Sequence, residues 1–356
     1  MNRNLLISII LFFSWTFSFS ILNLLLIFFI KDNFKIKSRN IFFIVLSISL
    51  FCFINLIIGF DNASILNEGS LSLQLYIPYL SLLIFALLIG QNLNNEIFKY
   101  LILFTAFECF IIFIQFISGN TGFFYNSYEM NNEVSDLIYY RRPNGFSTNS
   151  SIVGQKILVS LWFLINTKFT NFKYKKIIYL LLILGLILTF NRTVILTLVI
   201  SFFVFTKKVS KKIKFYSLII VTIISTLFSN FFINQFLRGS VELNLQEFTR
   251  YKVFNSGLEF ISNNPIFGNY SVKYFYEYGG RLFHLHNSYL QTLSSNGIPI
   301  SILVLFLIIV LLKKRNTFLL PFLIYSIFQY GLFWGLSILD ILIFYKNEKN
   351  HKIYPK

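Results

Sequence analysis

Acidic residues are few: 14 Asp and Glu stand against 31 Lys and Arg in 356 residues, and charged residues of both signs make up only 13% of the chain. A polar surface cannot be built from so little charge when 56% of the residues belong to the AVILMFWYC group and the mean hydropathy is +0.68. A soluble domain is therefore excluded, and the chain reads as an integral membrane protein. Cysteine is nearly absent. Cys52 and Cys109 both lie inside apolar runs, where a thiol behaves as a small hydrophobe, so neither a disulfide framework nor a Cys-based metal site is available. No Asp-x-Asp pair and no His and Cys cluster with ligand spacing occurs, and no metal or cofactor is expected. Six Pro and 16 Gly against 46 Phe favour long helices. A lipid-facing barrel would alternate apolar and polar residues in pieces of about ten, whereas the apolar runs here are unbroken. The net charge of +17 would suggest nucleic acid in a soluble protein. In a membrane protein it is first a matter of topology, with basic turns facing anionic lipid on the cytoplasmic side, so no nucleic-acid partner is expected.

The apolar runs fall at 5–30, 41–60, 75–91, 100–118, 151–167, 177–190, 194–206, 215–233, 287–312 and 317–345. They predict an all-α, polytopic bundle of about ten or more transmembrane helices. The runs 5–30 and 317–345 are each long enough for one tilted helix or two short ones. The first has no small-residue cleavage site and is kept as a membrane element. Basic residues then sort the connections. Lys31, Lys35, Lys37 and Arg39 mark one inside turn, and Lys99 marks a weaker one. Lys168, Lys173, Lys175 and Lys176 mark another. Lys207, Lys208, Lys211, Lys212 and Lys214 mark the strongest, and Lys313, Lys314 and Arg315 the last. The alternate loops face out: 61–74, 119–150, the short turn Asn191–Thr193, and 234–285. No repeat or linker divides the chain, so 1–356 reads as one membrane domain whose external loops 119–150 and 234–285 form the site.

The outward loops carry the chemistry. Arg141 and Arg142 precede Pro143-Asn144-Gly145, Arg192 sits in the short turn, and Arg250, Arg281, His284 and His286 lie in the long loop. Fourteen apolar residues (177–190) span about 21 Å as a helix against a hydrocarbon core of about 30 Å, which sets Arg192 below the outer surface. An arginine there either meets an anionic partner in a wet cavity or snorkels to headgroups. Guanidinium suits a phosphate or diphosphate, which it binds through paired planar hydrogen bonds. His284 and His286 are two of the three histidines, placed just before a helix that Asn287 or Ser288 can cap and that Gly297 and Pro299 close. Neutral imidazole is a natural base at neutral pH, and a histidine at such a position also serves simply as a cap or packing group. Glu108, Lys156 and Asp340 stand inside apolar runs, where they either line a pathway or are hydrogen-bonded within the bundle. The external acids Glu129, Glu133, Asp136, Glu242, Glu247, Glu259 and Glu277 suit sugar hydroxyls or solvent equally.

In order along the chain, Arg142-Pro143-Asn144-Gly145-Phe146 with Asn149 and Gly154, then Thr189-Phe190-Asn191-Arg192, then Arg250 leading to Asn264-Pro265-Ile266-Phe267-Gly268, then His286-Asn287 and Gly297, resemble the O-antigen polymerase and O-antigen ligase superfamily. The motifs span about residues 140 to 312. His-Asn, nine residues and Gly297 resemble the ligase-type signature, with Ile300 in place of a small or aromatic last residue. The polymerase element of an arginine, ten residues and a glycine is not reproduced, because Arg142 and Gly154 enclose eleven residues. The resemblance implies a metal-independent glycosyltransferase in the bacterial inner membrane, with its site facing the periplasm under a large loop. Its substrate would be an undecaprenyl-diphosphate-linked oligosaccharide, and a chain-length regulator and a flippase would be its pathway partners. Carried over by position, Arg192 and Arg250 hold the diphosphate, Arg142 supports them, and His286 positions or deprotonates the acceptor hydroxyl. Arg141, Arg281, His284 and Asn287 complete the expected binding set. A polysaccharide polymerase of the Wzy type is the first expectation. A ligase delivering finished glycan is the second, and a flippase or a silent scaffold is more remote.

Overall fold

The computed structural model describes residues 2–30, 38–59, 78–119, 142–167, 174–189, 191–205, 249–278 and 281–345, with a few single positions between. Arg141, the acids Glu129, Glu133, Asp136, Glu242 and Glu247, the run 217–233 apart from Ile219, and most inside-turn lysines lie outside the described residues. The described chain is helical: α1 Arg3–Thr16, α2 Ser20–Ile30, α3 Arg39–Gly59, α4 Tyr79–Asn92, α5 Asn95–Ser118, α6 Ser150–Asn166, α7 Lys175–Thr189, α8 Arg192–Phe205, α9 Thr249–Asn263, α10 Ser288–Arg315, α11 Leu320–Phe328 and α12 Ile338–Phe344. A small antiparallel hairpin, β1 Tyr276–Tyr278 and β2 Arg281–Phe283, pairs Glu277 with Leu282.

Among the described helices, α3, α5 and Ser288–Lys313 of α10 are long and apolar enough to cross a bilayer, and five further apolar helices are shorter. Their polarity is inverted relative to a soluble protein. On α3 the small polar positions Ser49, Cys52 and Asn55 are buried, while Ile57 is 78% exposed. On α5 Thr105, Glu108 and Gln115 are buried, while Phe107 and Ile117 face outward, the latter 69% exposed. Polar groups at spacings of three and four turn inward because a lipid-facing surface must be hydrocarbon and the polar atoms must find partners within the protein. The chain is therefore a membrane protein.

Two compact units make up the fold. One comprises 1–11, 20–95 and 245–356, and the other 12–19 and 96–244. In the first, α10 is interrupted at Gly297, which has φ 75° and ψ 176°. Pro299 has no N–H to give to the carbonyl of Ser295, and Ser271 N–H takes that carbonyl instead at 2.7 Å. Asn269 N–H bonds the Ser294 carbonyl at 2.8 Å, and Ile298 N–H bonds the Pro265 carbonyl at 2.8 Å. The loop after α9 thus satisfies the groups that the kink releases, as an apolar environment demands. Close backbone approach needs both glycines there: a Cβ on Gly297 would lie 2.0 Å from Ile266 O, and one on Gly268 2.5 Å from Gly297 N. From α3, the Asn55 side-chain amide donates to Phe267 O at 2.9 Å and Ser271 Oγ at 3.1 Å, fixing the same loop.

The apolar run 317–345 is two short helices, α11 and α12, joined by an irregular stretch over 329–337. The 5–30 run is likewise broken between α1 and α2. Ser337 and Asp340 form a reciprocal capping box at the start of α12. The Asp340 carboxylate also accepts from Phe333 N–H at 2.6 Å and from Ser337 Oγ at 2.8 Å. Ser288 Oγ, at the start of α10, accepts from Gly331 N–H at 3.0 Å and Leu332 N–H at 3.1 Å. Non-helical backbone within so apolar a segment is kept by these buried bonds.

Candidate active site

The first unit gathers the histidines. Asn287 caps α10, its Oδ1 accepting from the N–H groups of Tyr289 and Leu290, both at 2.9 Å. His286 directly precedes it with φ 47°, a left-handed conformation that β-carbon-bearing residues adopt sparingly. The ring centres of His284 and His286 are 4.3 Å apart, and both side chains are half-buried. Between them Leu285 N–H donates to Gln291 Oε1 at 2.9 Å, which ties the pair to the first turns of α10. Tyr270, Ser271 and Phe333 in this unit also have positive φ, so strained backbone concentrates around the kink and the irregular stretch. Such concentration is a feature of functional sites.

The irregular stretch turns aromatic rings toward the histidines. Tyr330 lies 5.6 Å and Trp334 6.4 Å from His284 between ring centres, and the two rings are 4.4 Å from each other. Gly335 has φ 97°, and any Cβ there would collide with Tyr79 O, so the turn that presents Trp334 requires glycine. Lys273 completes the group. Its Nζ lies 3.4 Å from the centre of the Trp334 ring and 4.8 Å from that of Tyr330. Burial, together with the neighbouring His286, Lys273 and Arg250, holds the His284 imidazole well below its ordinary value, so this histidine is neutral at neutral pH. Arg250 is exposed at the start of α9 and acts on His284 through its charge. Arg281 lies in β2.

The second unit positions Arg142 and Arg192, the two other candidate arginines among the described residues. Asn191 caps α8, its Oδ1 accepting from Val194 N–H at 3.2 Å, and its Nδ2 donates to Ser150 O at 3.3 Å. A Cβ on Gly154 would lie 2.3 Å from that Nδ2, so Gly154 is what lets the turn dock on α6. Arg192 follows as the first residue of α8, half-buried. Arg142, also half-buried, precedes the turn Pro143–Ser147. That turn is held from α5: Gln115 exchanges hydrogen bonds with the N–H and C=O of Gly145, and Glu108 Oε1 accepts from Phe146 N–H and Ser147 Oγ. Lys156 pairs with Glu108 Oε2 at 2.9 Å, both side chains fully buried. Glu108 and Lys156 are thus the anchor of the Arg142 turn, the hydrogen-bonded alternative for in-run charges.

His284, His286, Asn287 and Arg250 are brought into one unit, and Arg142 and Arg192 into the other. Sequence reasoning did not single out Lys273, Tyr330, Trp334 or Tyr79. A signal existed in Gly331-Leu332-Phe333-Trp334-Gly335 followed by Ser337-x-x-Asp340: two glycines and a capping box within one apolar run mark a break in it. Among the described residues no group of three His, Cys, Asp or Glu could hold a metal ion.

Residues 177–305 match Wzy_C, the O-antigen ligase family. The matched stretch contains Arg192, Arg250, Lys273, His284 and His286. No curated protein and no solved structure matches the chain.

Proposed function

We propose, for a chain that belongs to the O-antigen polymerase and ligase superfamily, that it polymerises oligosaccharide repeat units carried on undecaprenyl diphosphate, at the outer face of the bacterial inner membrane and from a bundle of about ten passes. The observation that carries this reading is the half-buried histidine pair, 4.3 Å between ring centres, whose His284 is kept neutral by burial and by His286, Lys273 and Arg250, inside the family-matched stretch. Neutral imidazole beside fixed positive charge is the pairing that glycosyl transfer from a diphosphate needs.

The reaction is a single displacement. The acceptor hydroxyl gives its proton to His286 as its oxygen bonds the anomeric carbon. The bond from that carbon to the diphosphate oxygen breaks, and the electron pair leaves on the diphosphate. Arg250, in the same unit as His286, stabilises the charge on the departing oxygen, so it leaves without protonation; Arg192 and Arg142 are assigned to the diphosphate by the resemblance alone. His284, kept neutral, supports the orientation of the His286 ring.

The second reading is a ligase that transfers finished glycan from the same lipid to an acceptor. It is favoured by the family that the match carries and by His286-Asn287, nine residues and Gly297. Sizing the lipid-linked glycans of a strain lacking the chain separates the two. Accumulated single repeat units mean polymerase, and accumulated long lipid-linked chains mean ligase. In the same strain, His286→Ala and Arg192→Ala should each abolish the product while the protein still inserts. Normal product from both would refute the assignment of these residues.

A further inference from the structure

Lys273 is 7% exposed, in the loop that the Gly297 kink holds. Its ammonium faces four rings: Trp334 at 3.4 Å, Tyr330 at 4.8 Å, Phe275 at 4.9 Å and Tyr79 at 6.0 Å from the ring centres. Among the described residues no carboxylate pairs with it, the one buried ion pair being Glu108–Lys156 in the other unit. Ring faces attract a cation, but they offer no lone pair to replace the water it has lost. The charged groups acting on the adjacent His284 are Lys273 itself, Arg250 and His286, all bases. The box is preformed, because Asp340 and Ser288 clamp the stretch that carries Tyr330 and Trp334.

We infer that Lys273 is an oxyanion-binding residue of the site: the aromatic box presents its ammonium beside His284 to take an anionic oxygen of the lipid-linked glycan. The oxygen comes from the diphosphate or from the carboxylate of an acidic sugar. Burial alone pushes Lys273 well below the ordinary lysine range, and an arriving oxyanion reverses this by restoring a partner to the charged form. The choice of ligand rests on the glycosyltransferase reading above, whereas the anion site itself rests on the box.

The test uses the full chain, purified in lipid nanodiscs, with three probes: farnesyl diphosphate, a glucuronate-terminated tetrasaccharide and its neutral glucose-terminated counterpart. Wild type should bind one of the anionic probes, and which one identifies the source of the oxygen. Lys273→Met, which keeps the stem packing, should weaken that binding about tenfold or more. Lys273→Arg should retain most of it, and the affinity for the neutral probe should not change. Lys273→Gln serves as a second charge-removing variant if the Met variant does not elute as a single folded species. Wild-type affinity for both anionic probes in the charge-removed protein, or no anionic binding by wild type, overturns the inference. The glycan profile of the deletion strain is independent of this result: a normal profile there defeats the glycosyltransferase reading and leaves a Lys273-dependent anion site standing.

Discussion

Lys156 and Lys273 are both buried, and the protein has surrounded them in opposite ways. Lys156 has three oxygen partners, Glu108 Oε2 at 2.9 Å, Thr16 Oγ1 at 2.6 Å and Ser147 Oγ at 2.9 Å, with the Phe12 ring 4.1 Å away. Lys273 has rings, and among the described residues no carboxylate pairs with it. The first arrangement is complete without a ligand. Each donor has an acceptor, the charge is neutralised, and the network's product is a rigid turn bearing Arg142. The second arrangement desolvates a lysine beside a histidine pair, a cost that a bound anion would offset. A buried charge therefore has to be read through its partners rather than its depth.

The largest expected effect breaks the closed network. Lys156→Met leaves Glu108 buried without its counter-charge and should cost about 3–5 kcal/mol of stability, seen as a large drop in melting temperature of the purified protein. Replacing Glu108 with Leu in the same chain should recover only part of that loss. Phe146 N–H and Ser147 Oγ also bond to Glu108 and would be orphaned. Full recovery would show that the turn is held by something other than the carboxylate.

The helices and caps around this contrast were legible in the chain, and the contrast itself was not. Apolar runs located α3, α5 and α10 to within a few residues, because a bilayer forces long uninterrupted hydrocarbon and a 3.6-residue period. The capping role of Asn287 and the closing role of Gly297 were readable for the same local reason, since caps and left-handed positions restrict residue type at one site. The pairing of Glu108 with Lys156 was not, because 48 residues separate them and only packing brings them together. Nor was the aromatic box. Tyr79, Lys273 and Trp334 come from three distant segments, and an apolar run containing Tyr330 and Trp334 reads as membrane helix until the glycines within it are given weight. Gly154 with Asn191, and Gly268 with Gly297, were visible as motif letters, but their meaning is a mutual close approach that only the fold reveals.

A smaller effect sharpens the contrast through pH. The His284 imidazole lies well below its ordinary value of 6.5, first from burial and then from His286, Lys273 and Arg250. Between that lowered value and 6.5 the unfolded chain binds more protons than the folded one, so stability is full above about pH 6.5 and falls as the pH drops. The slope has a ceiling of about 1.4 kcal/mol per pH unit and should be well under it, because His284 is only partly buried and solvent screens it. His284→Asn should flatten the melting-temperature profile between pH 6.5 and 5. An unchanged slope would place the acid-sensitive group elsewhere.

The smallest expected effect on stability is the most informative one. Lys273→Met removes a cation that has no carboxylate partner among the described residues and substitutes an apolar chain of similar length, which suits a ring-lined box and makes sulfur contacts to aromatic rings. The removal forfeits cation–π attraction of about 0.5–2 kcal/mol and relieves a desolvation cost of comparable or larger size. The melting temperature should therefore hold or rise, while product formation in cells falls. The equivalent change at Lys156, the same side chain at similar depth, should lower the melting temperature steeply. If Lys273→Met destabilised as severely as Lys156→Met, the box would be a structural network like the first, and the two lysines would differ in surroundings but not in purpose.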